Sequence, residues 1–167
     1  FDTCEESMEL LGIRSPLILT SNGGLKRFKI DSRFPKISIY SDVTSNPDFE
    51  SCRQAIGFCR DRRYDGIIAI GGGSVMDTAK SVEAADGLQL NDIRDILENT
   101  GKQFIKRIPS IFIPTTHGTG GEVTMWGTVW NRSEKRKYSI SHPDLYPDLA
   151  ILDASLTLSL PLEISLI

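Results

Sequence analysis

Residues 66–85, GIIAIGGGSVMDTAKSVEAA, constrain the fold more than any other part of the chain. The run Gly66–Ile70 is apolar without alternation, so a strand built from it has to be covered on both faces. It leads straight into Gly71, Gly72 and Gly73, and an amphipathic stretch from Ser74 to Ala85 with helical period follows. Strand, glycine turn and helix in that order form the unit of an α/β protein with parallel strands. Glycines let a backbone approach a bulky anion, and the free amides and dipole at a helix start attract negative charge. A pyrophosphate suits such a turn. A plain tight connection suits it equally, because the spacing is not the GxGxxG of the common dinucleotide fingerprint. Ser74 and Asp77 also have the S-x-x-D spacing of a capping box, a purely structural role.

The same alternation of elements extends on both sides. Leu17–Thr20 and Lys36–Tyr40 read as strands, the first closed by the turn Ser21-Asn22-Gly23-Gly24. Phe49, Cys52, Ile56 and Cys59 recur at helical spacing, which predicts a helix from Pro47 to Arg60 with Asn46 as N-cap and Pro47 at the first position. A short helix over 91–99 and a strand over Ser110–Ile113 follow. Val123–Trp130 and Tyr138–Ser141 read as an antiparallel hairpin, and Leu149–Leu152 as a last buried strand. The expected class is α/β, a Rossmann-like, doubly wound, mostly parallel sheet with an added β-hairpin.

A second polar cluster, PTTHGTGGEVT from Pro114 to Thr124, again sits at the end of a buried strand. Ligands of open α/β sheets bind outside the carboxyl ends of the strands, so this cluster and the glycine turn are expected to share one crevice. The hydroxyls of Thr115, Thr116, Thr119 and Thr124 suit ribose and phosphate oxygens; a loop capping its own backbone is the alternative.

Charge and composition exclude other classes. A net charge of −3 leaves no basic stripe for a nucleic-acid backbone. The one basic run, Lys135-Arg136-Lys137, fits a solvated hairpin end. Cys4, Cys52 and Cys59 show no CxxC pair or zinc spacing and read as buried thiols, with Cys52 and Cys59 on one helix face. No apolar run approaches the roughly 20 residues of a membrane span, and the opening FDTCEESMELLG lacks the features of a signal peptide. A cytoplasmic protein without nucleic-acid or membrane partners is expected. The start at Phe1 and the stop at Ile167 both read as cuts.

Together the two motifs resemble a known family. GGGSVMDTAKSV (Gly71–Val82) and IPTTHGTGGEVT (Ile113–Thr124) are similar to the GGGSxxDxAK and PTTxGTGSE signatures of the iron-containing alcohol dehydrogenases. Asn46-Pro47 and PDLAILD (Pro147–Asp153) match further family positions. The resemblance implies a dinucleotide-binding domain over 1–161, with 162–167 opening an all-helical metal-binding domain that is otherwise absent. It implies NAD or NADP held by Gly72, Gly73, Ser74, Val75 and Met76, with Asn46, Thr115, Thr116, Thr119, Thr124 and Lys137 lining the cofactor. Asp77, near the nicotinamide and the substrate pocket, is the catalytic candidate, and Lys80 a brace for the loop.

For a complete relative the resemblance implies hydride transfer between the nicotinamide and an alcohol/aldehyde pair, iron or zinc as Lewis acid, and a homo-oligomer. His117 and His142 match no metal-ligand position, so no metal ligand is assigned. Thr124–Ser141, with Trp126 and Trp130, is similar to relatives that reduce phosphonoacetaldehyde. Gly121 departs from the signature's Ser. The 20–24 turn lacks the acidic residue of NAD-preferring relatives, which opens the chain to NADPH. A catalytically silent nucleotide-binding module and a dehydroquinate synthase-like lyase are the rival readings.

Overall fold

A computed structural model describes residues 1–158, 160 and 161. The expected start of a helical domain at 162–167 lies outside the described residues. The strands are β1 (Pro16–Leu19), β2 (Ser38–Tyr40), β3 (Gly66–Gly71), β4 (Ser110–Pro114), β5 (Trp126–Asn131), β6 (Arg136–Ser141) and β7 (Leu149–Ala150). The helices are α1 (Cys4–Leu10), α2 (Asn22–Arg27), α3 (Ile30–Arg33), α4 (Phe49–Arg60), α5 (Gly73–Leu88) and α6 (Ile93–Asn99).

Five strands form one sheet in the order β2-β1-β3-β4-β7, with every pair parallel. Alternate residues of β1, β3 and β4 feed two cores. Leu17, Leu19, Ile67, Ala69 and Phe112 pack with Cys52, Ile56, Met76 and Val82 of α4 and α5. Ile18, Ile68, Ile70, Ile111 and Ile113 pack with Cys4, Ile30 and Phe34 on the opposite face. Burial on both faces is why these strands are apolar without alternation. The antiparallel hairpin β5–β6 stands apart from the sheet and lies along α5. Gly127 permits that approach: a Cβ there would stand 3.2 Å from Lys80 Cβ and 3.3 Å from the Asp77 carbonyl oxygen.

Several boundaries differ from the sequence reading. Helix α4 begins at Phe49, not Pro47, because Asp48 outcompetes Asn46 as its cap. The Asp48 carboxylate accepts from the Ser51 amide at 2.9 Å, and the Ser51 hydroxyl accepts from the Asp48 amide at 2.8 Å. Asn46 instead takes a left-handed φ of 52°. The capping box that the spacing of Ser74 and Asp77 offered as an alternative does not form; the N-cap of α5 is Gly72, with no side-chain cap bond. Val123 falls in a 3-10 turn over Gly121–Val123, so the hairpin starts at Trp126, and the last strand stops at Ala150.

Helices α1, α2 and α3 lie where no helix was expected, and Ser21-Asn22-Gly23-Gly24 opens α2 instead of forming a free turn. The Ser21 hydroxyl caps it by accepting from the Gly24 amide at 3.1 Å. All three thiols are buried, and Cys52 and Cys59 share the buried face of α4. No helix among the described residues is long and apolar enough to cross a membrane.

Candidate functional site

The chain runs from β1 to β2 on one side and then crosses back past β1 to β3 on the other, so the strand order reverses between β1 and β3. A crevice opens at the carboxyl ends of strands at such a reversal. The turn Gly71-Gly72-Gly73-Ser74 leaves β3 at that point. The neighbouring strand β4 leads into Thr115, whose amide donates to the Gly71 carbonyl at 3.0 Å. The glycine turn and the threonine loop thus leave the sheet side by side.

The threonine side chains fill the space that larger residues would need in the turn. A Cβ on Gly72 would meet Thr116 Oγ1 at 2.9 Å, and a Cβ on Gly73 would meet Thr119 Cγ2 at 3.1 Å. On the other side, the Asn46 amide donates to Ser74 Oγ at 3.0 Å. Asn46, Gly72, Gly73, Ser74, Thr116 and Thr119, far apart in sequence, therefore meet around one helix start. The amides of Val75 and Met76 already bond the Gly72 carbonyl, at 2.9 and 3.2 Å. The amides of Gly73 and Ser74, immediately before them, have no protein acceptor among the described residues. They point out of an uncapped helix N-terminus with no acidic residue in its first turn, an arrangement that favours an anion.

The remaining predicted residues fall into three groups. Val75 and Met76 are buried side chains at 3% and 1% exposure, so only their backbone borders the crevice. Thr124 Oγ1 accepts from Lys80 Nζ at 3.1 Å, which turns it toward the helix. Lys137 is exposed on β6 opposite Trp130, with its ammonium 4.5 Å from the centre of the Trp130 ring. Trp130 in turn donates its amide to the Pro47 carbonyl at 2.9 Å, next to Asn46.

Lys80 is fully buried. Its ammonium donates to the carbonyls of Gly121, Thr124 and Trp126 at 2.7, 2.5 and 3.0 Å. It braces the loop as expected, and burial pulls its pKa down to about 8 against the pull of Glu83, Asp77 and Glu122. Asp77 sits one turn into α5, half-buried under β5. Burial raises its pKa, opposed by the Thr128 backbone and the Lys80 charge.

His117 is exposed and lines a cleft of about 360 Å³ with Pro114, Thr116, Glu122 and Leu152. His142 is structural: its ring stacks on Phe104 at 3.9 Å and its Nδ1 accepts from the Asp144 amide at 3.1 Å. Among the described residues no three His, Cys, Asp or Glu are grouped so as to hold a metal ion.

Known proteins share this fold. The family model "Iron-containing alcohol dehydrogenase" matches residues 1–154. The chain belongs to the iron-containing alcohol dehydrogenase family. Within that family, it is 37% identical over 127 residues to long-chain-alcohol dehydrogenase 1 of Geobacillus thermodenitrificans, an alignment covering 75% of this chain and 31% of the relative. It superposes with a TM-score of 0.82 on NADH-dependent butanol dehydrogenase A of Thermotoga maritima at 28% identity, over 98% of this chain and 42% of that one. Sulfoacetaldehyde reductase of Bifidobacterium kashiwanohense, solved in complex with NAD+, gives 0.79 at 29% identity, over 97% and 44%. The chain thus spans less than half the length of these iron-containing alcohol dehydrogenase relatives.

Proposed function

We propose that this chain is the cofactor-binding half of an NAD(P)-dependent oxidoreductase acting on an alcohol/aldehyde pair. The observation that carries this reading is the uncapped start of α5 at the carboxyl end of β3, with free Gly73 and Ser74 amides beside glycines whose Cβ positions are crowded by Thr116 and Thr119. Those amides would hold the cofactor pyrophosphate, together with the backbone of Gly72, Val75 and Met76. Asn46 and Ser74 fix one wall and Thr115, Thr116 and Thr119 the other. Thr124 and Lys137 border the crevice from the loop and the hairpin.

A nicotinamide held here would supply hydride transfer to or from the substrate carbon. The chain's own residues would position it: Lys80 holds the 121–126 backbone against α5, and Asp77 would face the nicotinamide end. The residues described here do not form a metal-ligand set, so no step is assigned to iron or zinc. Domain limits of 1–161 follow from the same reading.

Titration with NADH, followed by nicotinamide fluorescence, tests the proposal. Saturable binding is expected in the parent chain. Gly73→Val, whose side chain meets Thr119 and crowds the turn, is expected to lose at least about 100-fold in affinity with unchanged circular dichroism. Equal binding by both proteins overturns it.

A further inference from the structure

Coenzyme choice turns on the 2′ position of the adenosine ribose, a hydroxyl in NAD and a phosphate in NADP. A carboxylate beside that position accepts a hydrogen bond from the hydroxyl and repels the phosphate. The turn after β1 supplies none. The Thr20 hydroxyl donates to the Ile70 carbonyl at 2.8 Å, the Ser21 hydroxyl is engaged as the α2 cap, and Asn22 is an amide.

A carboxylate does reach this place from the neighbouring strand. Asp42 stands two residues past the end of β2 and forms an isolated antiparallel bridge with Ser21. Asn22 Nδ2 donates to Asp42 Oδ1 at 3.0 Å. Oδ2 takes no hydrogen bond among the described residues, and the side chain is exposed. No Lys, Arg or His of the described residues lies within ion-pair distance of it, so its charge is uncompensated. The connection that begins at Asp42 ends at Asn46, whose amide bonds Ser74 of the glycine turn. Asp42 and that turn therefore flank the β1/β3 crevice on the same, carboxyl end of the sheet.

Resting on the reading of the glycine turn as a dinucleotide site, we propose that Asp42 selects NAD over NADP, with Asn22 holding its carboxylate in position. This reverses the expectation drawn from the 20–24 turn alone, because the acidic group comes from β2. Asp42→Asn separates this role from a simple staple between loops: the amide keeps a bonding partner for Asn22 and removes the charge.

The test is a pair of fluorescence titrations, with NADH and with NADPH, on the 167-residue chain and its variants. The parent is expected to bind NADH at least about tenfold more tightly than NADPH, with the gap narrowing at high salt. Asp42→Asn is expected to raise NADPH affinity by about tenfold while NADH affinity stays within about threefold, and Asp42→Arg to invert the preference. Equal affinities in the parent, or an unchanged ratio in Asp42→Asn, overturn the role of Asp42 and leave the cofactor site standing. No binding of either coenzyme by any form removes the cofactor reading itself, and Asp42 with it.

Discussion

Helices α4 and α5 pack on the same face of the sheet, yet they begin and bury themselves in opposite ways. Helix α4 closes its own start with a reciprocal Asp48–Ser51 box, to which Arg132 adds an ion pair, and buries only Cys52, Ala55, Ile56 and Cys59. Helix α5 starts on a glycine with no side-chain cap, and among its buried residues are Thr78, Lys80, Ser81 and Glu83. The first is built for stability at every turn. The second gives up a side-chain cap, worth a few tenths of a kcal/mol against glycine, and buries charge at further cost. Such losses persist where a site needs them.

The sharpest way to expose the difference is pH. The Glu83 carboxylate is enclosed, neither of its oxygens has a hydrogen-bond partner among the described residues, and burial pushes its pKa up to about 8 from an ordinary 4.5, with the Lys80 charge pulling back. The folded state therefore holds a proton that the unfolded chain releases. Its stabilising effect is complete below about pH 4.5 and is lost as pH rises toward about 8. The urea midpoint is expected to fall across that window in the parent and to flatten in Glu83→Gln. A parent midpoint that does not fall would place the proton elsewhere.

Next in size is Lys80→Met, which leaves three loop carbonyls without their donor and is expected to cost about 3 kcal/mol in denaturant unfolding. Nucleotide affinity should fall with it, since the loop no longer rests on α5. Asp48→Ala should cost about 1–2 kcal/mol and leave coenzyme affinity within about twofold, because the proposed site draws on the start of α5 and not on α4. A large loss of affinity there would erase the contrast between the helices. The smallest effect is expected from Ser74→Ala, which removes the Asn46 contact and should weaken coenzyme binding by roughly 3- to 10-fold, about 1 kcal/mol, with little change in the unfolding midpoint.

How legible these features were in the sequence depended on how local their causes are. The sheet strands and α4, α5 and α6 could be read because each carries its own apolar period between breakers. Helices α1, α2 and α3 could not: CEESMEL buries only Cys4 and Ser7, NGGLKR looks like a turn by its glycines, and IDSR is a single turn. Their helicity is fixed by Cys4, Leu25, Ile30 and Phe34 meeting the sheet, which no local window contains.

Within the candidate site, the glycine turn and the threonine loop announced themselves by composition. The Asn46–Ser74 contact did not, and both residues looked like caps until Asp48 and Gly72 took those positions. Asp42 was invisible for the same reason: only the pairing of β1 with β2 brings it to Asn22. Glu83 gave no signal because a lone Glu in a helix is ordinarily solvated.

The enclosure of Lys80 also makes it a built-in reporter. Its amine is fully shielded, whereas Lys26, Lys102 and Lys106 lie in solvent. Acylating reagents will therefore modify those amines on the intact protein and reach Lys80 only in molecules that have opened around it, by lifting of the 121–126 loop from α5 or by unfolding. Mass-spectrometric occupancy at this one position, compared with the rate of global unfolding, then measures how often the crevice wall opens.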